Sequence, residues 1–424
     1  MLGSGSEFEV QGSRFGEATT RGTPNHARRT MNQNMNTNLE PGTRNPEPKC
    51  SVLIVGVSTR AAAESAARAG FDVTALDAYA DLDQHADVHA LSLQRDFGKP
   101  FSADAIVAAA AGLSSDAVVY LSSLENHPRA VDALAQGRAL WGNGSEVLRR
   151  VRNPRSLADA FVANEIRAPR VVTDTQSPEQ HREVERWLIK PRVSGGGHGV
   201  RVWSANEPVT RGHYLQEFVE GVPGSVVFVA ARGRGVALGT TRQLVGETAF
   251  GASGFRYCGN ILDATTSQDA SAAAIALVDA VTAAFPLVGV GTIDFVAANN
   301  ALRPVEVNPR WSASMELLER ARTISLFGLH ADACRQGALP QFDLTEPASS
   351  RGTHGKAIVF APRDVVIGDV RGWLDDPNVR DVPRKGERIA TGQPICTVLA
   401  VGSDETACYA ALVERAEGIY SELT

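Results

Sequence analysis

Val305-Glu306-Val307-Asn308-Pro309-Arg310, taken with Asp294 on the strand before it, is the stretch on which the reading of this chain turns. Side chains alternate faces along an extended strand, so Glu306 and Asn308 project from one face about 7 Å apart. Gly291-Thr292-Ile293-Asp294-Phe295-Val296-Ala297 also reads as a strand. Ala298-Asn299-Asn300 reads as the turn between the two, which sets Asp294 opposite Glu306. Two carboxylates and an amide oxygen on one sheet face carry a large cost if left unpaired, and Mg²⁺ bridging nucleotide phosphates relieves it. The expectation is a metal-nucleotide site with Asp294, Glu306 and Asn308 as ligands. Taken alone, the hairpin also fits an ordinary solvated surface.

Working outward, Trp187-Leu188-Ile189-Lys190-Pro191 reads as a strand ending on a lysine, and Ser194-Gly195-Gly196-Gly197-His198-Gly199 follows it. Glycines let backbone amides close on phosphate oxygens, and a nearby lysine supplies a point charge. A flexible turn is the alternative, and no Gly-Lys-Ser/Thr closes the run as a Walker motif requires. Tyr214-Leu215-Gln216-Glu217-Phe218-Val219-Glu220-Gly221 is an apolar strand broken at a glycine, which frees backbone groups near Glu217–Val219 to bond a planar base. Phe255-Arg256-Tyr257-Cys258-Gly259-Asn260 follows a glycine-rich stretch with the character of a lid.

Nearer the start, Ser51–Val57, a helix over Thr59–Ala69 and Phe71–Asp77 form a β-α-β unit whose turn presents amides at a helix N-terminus. Asp77 lies at the spacing of a dinucleotide-binding fold, but the turn lacks the glycine fingerprint of one. The strand Ala117–Ser123 runs into Glu125-Asn126-His127-Pro128. Loops at the carboxyl ends of parallel strands bind ligands, so Ser58, Arg60, Glu125 and Asn126 are expected to converge, with helix caps and turns as the alternative.

A chain of 424 residues with 43% hydrophobic content is too long for one core and predicts several domains. The 48 acidic and 42 basic residues, net −6, leave no basic surplus for nonspecific binding of nucleic acid or of an anionic membrane. Five scattered cysteines form no C-x-x-C pair, which argues against a zinc cluster or disulfide framework and favours a reducing compartment. No apolar run approaches the roughly 18 residues of a membrane span, and the start lacks a signal-peptide core, so a cytoplasmic location is expected. Residues 1–49 are polar and aperiodic, predicting a disordered extension, with Met31 or Met35 as an alternative start. The remainder divides into an α/β segment over 50–148, an α+β segment over 149–340, and a β-rich module over 350–424 ending in a helix. That module has no Met-Lys-Met carrier lysine, so a biotinyl domain is not expected.

Four elements stand in order: Ile189-Lys190-Pro191, Gly195–Gly199, Gln216–Gly221, and Asp294 with Glu306–Arg310. This order resembles the ATP-grasp superfamily over roughly residues 51 to 340. The resemblance implies a Rossmann-like pre-ATP-grasp domain and two lobes, about 149–215 and 216–340, that clamp ATP. It implies that Lys190 contacts the α- and β-phosphates and that Gly195, Gly196, Gly197 and His198 close over the phosphates. Gln216, Glu217, Phe218 and Val219 then form the adenine edge, with Glu220 a candidate for the ribose. Asp294, Glu306 and Asn308 hold Mg²⁺, or Mn²⁺ in its place, and Arg310 faces the γ-phosphate or an acyl phosphate.

Arg242 and Arg256 are further candidates to steady the oxyanion during amine attack. Two features depart from the family pattern. The first family lysine has no counterpart, Arg152 or Arg155 lying nearest, and Ser225 stands where an acidic ribose contact is common. The implied function is an ADP-forming ligase that joins a small-molecule carboxylate to an amine, as a possible homodimer. The alternative is a nucleotide-binding regulatory protein without turnover. Gly56-x-Ser58-x-Arg60, Leu124-Glu125-Asn126-x-Pro128, Thr241-Arg242-Gln243-Leu244 and Asn308–Ser314 look like a group linked to tetrahydromethanopterin and methanofuran-like one-carbon coenzymes. That likeness implies an amino-acid ligase of coenzyme biosynthesis.

Overall fold

Five strands between Ser51 and Leu140 form a parallel sheet: β1 (Ser51–Val55), β2 (Asp72–Asp77), β3 (Val88–Ser92), β4 (Ala117–Tyr120) and β5 (Ala139–Leu140). Their order is β3-β2-β1-β4-β5, so the chain reverses direction across the sheet between β1 and β4. Apart from Ser51, strands β1 and β4 are runs of apolar and aromatic residues that are buried, as expected when helices cover both faces. The helix Arg60–Arg68 turns Ala62, Ala63 and Ala66 onto that sheet. The crevice of such a sheet opens at the carboxyl ends of its strands, at the reversal point. Here that point is formed by Gly56–Ser58 and Leu121–Ser123.

The computed structural model describes residues 49–173, 184–204, 207–262, 268–346 and 352–423. The disordered extension expected over 1–49 lies, Lys49 apart, outside them. A small antiparallel sheet follows in the order β6-β9-β7-β8, from β6 (Val171–Val172), β7 (Trp187–Pro191), β8 (Arg201–Val202) and β9 (His213–Glu217). Trp187, Ile189 and Leu215 point to its apolar side. Leu188, Lys190, Tyr214 and Gln216 share the other, because Leu188 pairs with Gln216 and Lys190 with Tyr214.

The largest sheet has eight strands. It is built from β10 (Val222–Ala231), β11 (Arg234–Val245), β12 (Tyr257–Leu262), β13 (Gly289–Ala298), β14 (Ala301–Asn308) and β15 (Thr353–Phe360). Of the later strands, β16 (Val365–Val366) and β18 (Arg388–Ile389) pair apart, while β17 (Val379–Arg380) and β19 (Pro394–Gly402) join the large sheet. The order is β14-β13-β10-β11-β12-β15-β19-β17. The C-terminal segment expected as a small β module thus supplies strands that continue this sheet through the β12–β15 pair, and the helix Glu405–Ser421 covers it.

The β13–β14 hairpin turns on Asn299 and Asn300, whose φ angles of 50° and 59° are the left-handed values that asparagine tolerates. Its register pairs Asp294 with Glu306 and Thr292 with Asn308. The register shifts between Asp294 and Phe295, next to Pro304 on this edge strand, where a missing N–H is tolerated. Ile293, Phe295 and Val307 fill the core beneath, against Leu277, Val278 and Val281 of the helix Gln268–Ala284. No helix among the described residues is long and apolar enough to cross a membrane.

Candidate functional site

A cavity of about 840 Å³ lies between the small sheet, the large sheet and the open end of the parallel sheet. Strand alternation decides what lines it. Leu188, Lys190, Tyr214 and Gln216 come from the small sheet, and Thr292, Asp294, Val296, Glu306 and Asn308 come from the large one. Lys190 Nζ donates to Gln216 Oε1 at 3.0 Å, and Gln216 Nε2 donates to the Val305 carbonyl at 3.2 Å. That second bond fastens the small sheet to the β14 edge beside Glu306. Phe218, Val219, Gly195, Gly196 and Gly197 also line the cavity. The Val219 N–H has no acceptor among the described residues, so it remains available to a planar ring edge.

Gly197 could not be another residue. With φ at +74°, a Cβ there would lie 1.8 Å from the Phe255 carbonyl oxygen. The glycine turn packs directly on the 254–257 segment of the large-sheet side, and the Tyr257 N–H donates to the Gly196 carbonyl at 3.0 Å. The stretch read as a lid is therefore the surface on which the glycine turn rests. His198 is exposed and does not line the cavity, and Glu220 is likewise exposed and outside the lining. The turn thus leaves His198 and Glu220 toward solvent rather than on the cavity wall. The Glu217 side chain turns away as well, to Arg303 and the Arg170 N–H, leaving only its backbone near the cavity.

Asp294, Glu306 and Asn308 meet as the hairpin register requires. Asn308 Nδ2 donates to Asp294 Oδ2 at 2.9 Å and Gln243 Nε2 to Oδ1 at 3.0 Å. Burial, with the Glu306 charge beside it, pushes the Asp294 carboxyl up to about 7. Burial works against Glu306 too, but the charges of Arg152 and Lys190 hold it below its ordinary value. No group of three or more His, Cys, Asp or Glu side chains among the described residues is placed to hold a metal. Two carboxylates and an amide oxygen fit Mg²⁺, which keeps part of its coordination for water and phosphate oxygens. A divalent cation beside Asp294 would offset the Glu306 charge and favour the ionised carboxylate against the effect of burial.

Arg310 borders the same face, with Nη2 donating to Asn308 Oδ1 at 3.1 Å. Arg242 and Arg256 do not line the cavity, where they were expected. Along β11 it is Gln243 that faces the cavity, so Arg242 turns to the opposite side and pairs with Glu405 of the C-terminal helix. Arg256 stacks its guanidinium 4.3 Å over the Phe360 ring. Arg152 stands in their place: it ion-pairs with Glu306, and Nη1 also donates to the Val307 carbonyl at 3.3 Å. It lines the cavity where the first family lysine was missing, and Arg155 does not. The long-range partner Glu306, invisible in sequence, is what selects Arg152.

On the side of the parallel sheet the cavity is lined by Ser58, Arg60, Ser122 and Ser123, with Lys356 joined to Arg60 through Glu316. Arg60 is completely buried. It bonds Asp381 at 2.7 Å and Glu316 at 3.0 Å, and Lys356 Nζ shares Glu316 at 2.7 Å. Asp77, the residue that raised a dinucleotide reading, accepts the Thr59 N–H and hydroxyl and the Tyr79 and Ala80 N–H groups. Its carboxylate is spent inside the turn and offers nothing to a ribose.

Residues 151–314 match the family described as an ATP-grasp domain. The fold superimposes on biotin carboxylase from Campylobacter jejuni, solved as a β,γ-ATP complex, with a TM-score of 0.66 and 14% identity over 88% of this chain and 91% of that one. The ADP complex of N5-carboxyaminoimidazole ribonucleotide synthetase gives 0.63 and 18% over 88% and 97%. The L-amino acid ligase from Bacillus licheniformis gives 0.60 and 14% over 88% and 98%. At these identities the likeness is one of fold. No curated protein matches the chain in sequence.

Proposed function

We propose that this ATP-grasp fold is an ADP-forming, Mg²⁺-dependent ligase that joins a carboxylate to an amine. The observation that carries the reading is the register-locked pair Asp294–Glu306, with Asn308 beside it, on a cavity wall shared with Lys190 and Arg310. A carboxylate and an amine do not condense in water because hydroxide leaves poorly. Transfer of the γ-phosphoryl group gives an acyl phosphate, whose phosphate leaves when the amine attacks. Such chemistry asks the protein for positioning and charge neutralisation rather than for a nucleophile. Asp294, Glu306 and Asn308 would hold Mg²⁺, which when bound offsets phosphate charge; Mn²⁺ suits the same ligands. Lys190, Arg152 and the glycine turn hold the phosphates, the Val219 N–H meets the base, and Arg310 lies toward the transferred group.

A regulatory protein without turnover drew its support from the missing first lysine, and Arg152 at that place weakens that support. We further propose that the substrates belong to one-carbon coenzyme biosynthesis of the tetrahydromethanopterin or methanofuran kind, with an amino acid as the amine. The four strings quoted above support this reading, and a cytoplasmic location is proposed with it. The test is incubation with ATP, Mg²⁺ and pooled acids and amines. ADP and phosphate released only when an acid and an amine are both present is the expected result. Release that ignores the pair, or none with any pool, contradicts it.

A further inference from the structure

The short turn Leu124–Asn126 follows β4 and does not itself line the cavity, yet its side chains reach three separate parts of the site. Glu125 is 1% exposed, and its Oε1 accepts from Arg310 Nε at 3.1 Å and Nη2 at 2.9 Å. Its other oxygen has no hydrogen-bond partner among the described residues, and Arg310 is the ion-pair partner of this buried charge. With Nη1 also donating to the Trp311 carbonyl and Nη2 to Asn308, the guanidinium is held in one plane. One Nη1 N–H remains for a ligand. The next residue, Asn126, accepts from Arg152 Nη2 at 2.9 Å and donates to the Ser194 carbonyl at 3.2 Å. Arg152 Nη2 reaches that same carbonyl at 3.3 Å.

We infer that Glu125 and Asn126 are positioning residues, through which the parallel-sheet domain sets the phosphate-binding geometry of the other two sheets. Glu125 aims Arg310 at the terminal phosphate. Asn126 ties Arg152, the partner of Glu306, to the first residue of the glycine turn. The inference rests on the nucleotide reading above and adds to it a division of labour between two neighbouring side chains.

Calorimetry with MgATP and MgADP separates the two roles. Glu125→Gln keeps the shape and an acceptor oxygen but removes the charge. It should weaken MgATP about tenfold while leaving MgADP within about twofold, because only the terminal phosphate meets Arg310. In an Arg310→Ala background the same change should have no further effect, since the two residues act as a unit. Equal losses for both nucleotides, or additive losses in the double variant, overturn the role of Glu125. Asn126→Ala should weaken both nucleotides alike and speed amide exchange over residues 194–199; unchanged exchange overturns the role of Asn126. Wild-type protein that binds no MgATP overturns the nucleotide reading itself, and the exchange measurement still decides whether Asn126 holds the turn.

Discussion

At the end of the cavity proposed for the nucleotide, the contacts within each sheet join partners on paired strands, while Arg152 reaches Glu306 across 154 positions. Asp294 and Asn308 are 14 positions apart and Lys190 and Gln216 26. At the other end, Arg60 meets Glu316 across 256 positions and Asp381 across 321. The first end falls within residues 151–314. The second is closed by segments on either side of that span: the start of the helix Arg60–Arg68, the β15 lysine, and the loop that carries Asp381. The difference suggests a division. On the proposed reading, the nucleotide end follows mainly rules of alternation and turn chemistry within paired strands, and the far end, assembled from distant pieces, is where selectivity for the acid and amine belongs.

The hardest blow to this contrast comes from the nucleotide end. Glu306→Gln and Lys190→Ala should each lower ATP turnover roughly a thousandfold, with circular dichroism unchanged, since each removes preorganised charge from the reacting phosphates. Undiminished ADP release in both variants removes the assignment. Arg310→Ala should cost roughly a hundredfold in turnover, whereas Arg242→Ala and Arg256→Ala should stay within about threefold. A large loss at Arg242 or Arg256 restores the arginines that sequence suggested and demotes the ones the cavity selects.

The pH dependence sharpens the metal side. In the folded chain Asp294 holds its proton up to about 7, against an ordinary 3.8. Between those values the folded state binds more protons than the unfolded one, so this group's contribution to stability falls as pH rises through that window. The same proton has to leave before a cation binds. Mg²⁺-dependent ATP affinity should therefore weaken by up to about tenfold per pH unit below 7, and Asp294→Asn should flatten that slope. A steep slope that persists in Asp294→Asn points to another group. The smallest effect belongs to the far end, where Lys356→Met should raise the KM of the acid or amine about tenfold and leave MgATP affinity unchanged. A loss confined to MgATP affinity erases the division between the ends.

What the sequence made legible follows the same line. Alternation gave Glu306 and Asn308 one face, two asparagines marked the hairpin turn, and together they fixed Asp294 opposite Glu306, as the register shows. The apolar runs of β1 and β4 announced a parallel sheet. Alternation alone does not say which face a neighbouring strand will close, and so Arg242 was preferred where Gln243 faces inward. Nor does the sequence show that Arg256 stacks on Phe360, because that partner lies on another strand far along the chain. Arg152 could be placed only near a missing lysine, because its partners Glu306, Asn126 and Ser194 come from three distant segments. Nor did the C-terminal strands reveal that they extend the large sheet, since β12–β15 pairing spans some hundred residues of intervening chain.

The central claim is that Asp294, Glu306 and Asn308 form a metal-dependent nucleotide site, and titration of the protein with ATP by calorimetry, in Mg²⁺ and then in EDTA, tests it most directly. The account predicts tight binding in Mg²⁺ and a loss of at least about tenfold in EDTA, because two carboxylates then face the phosphates without a cation between them. The same affinity in both buffers would contradict it.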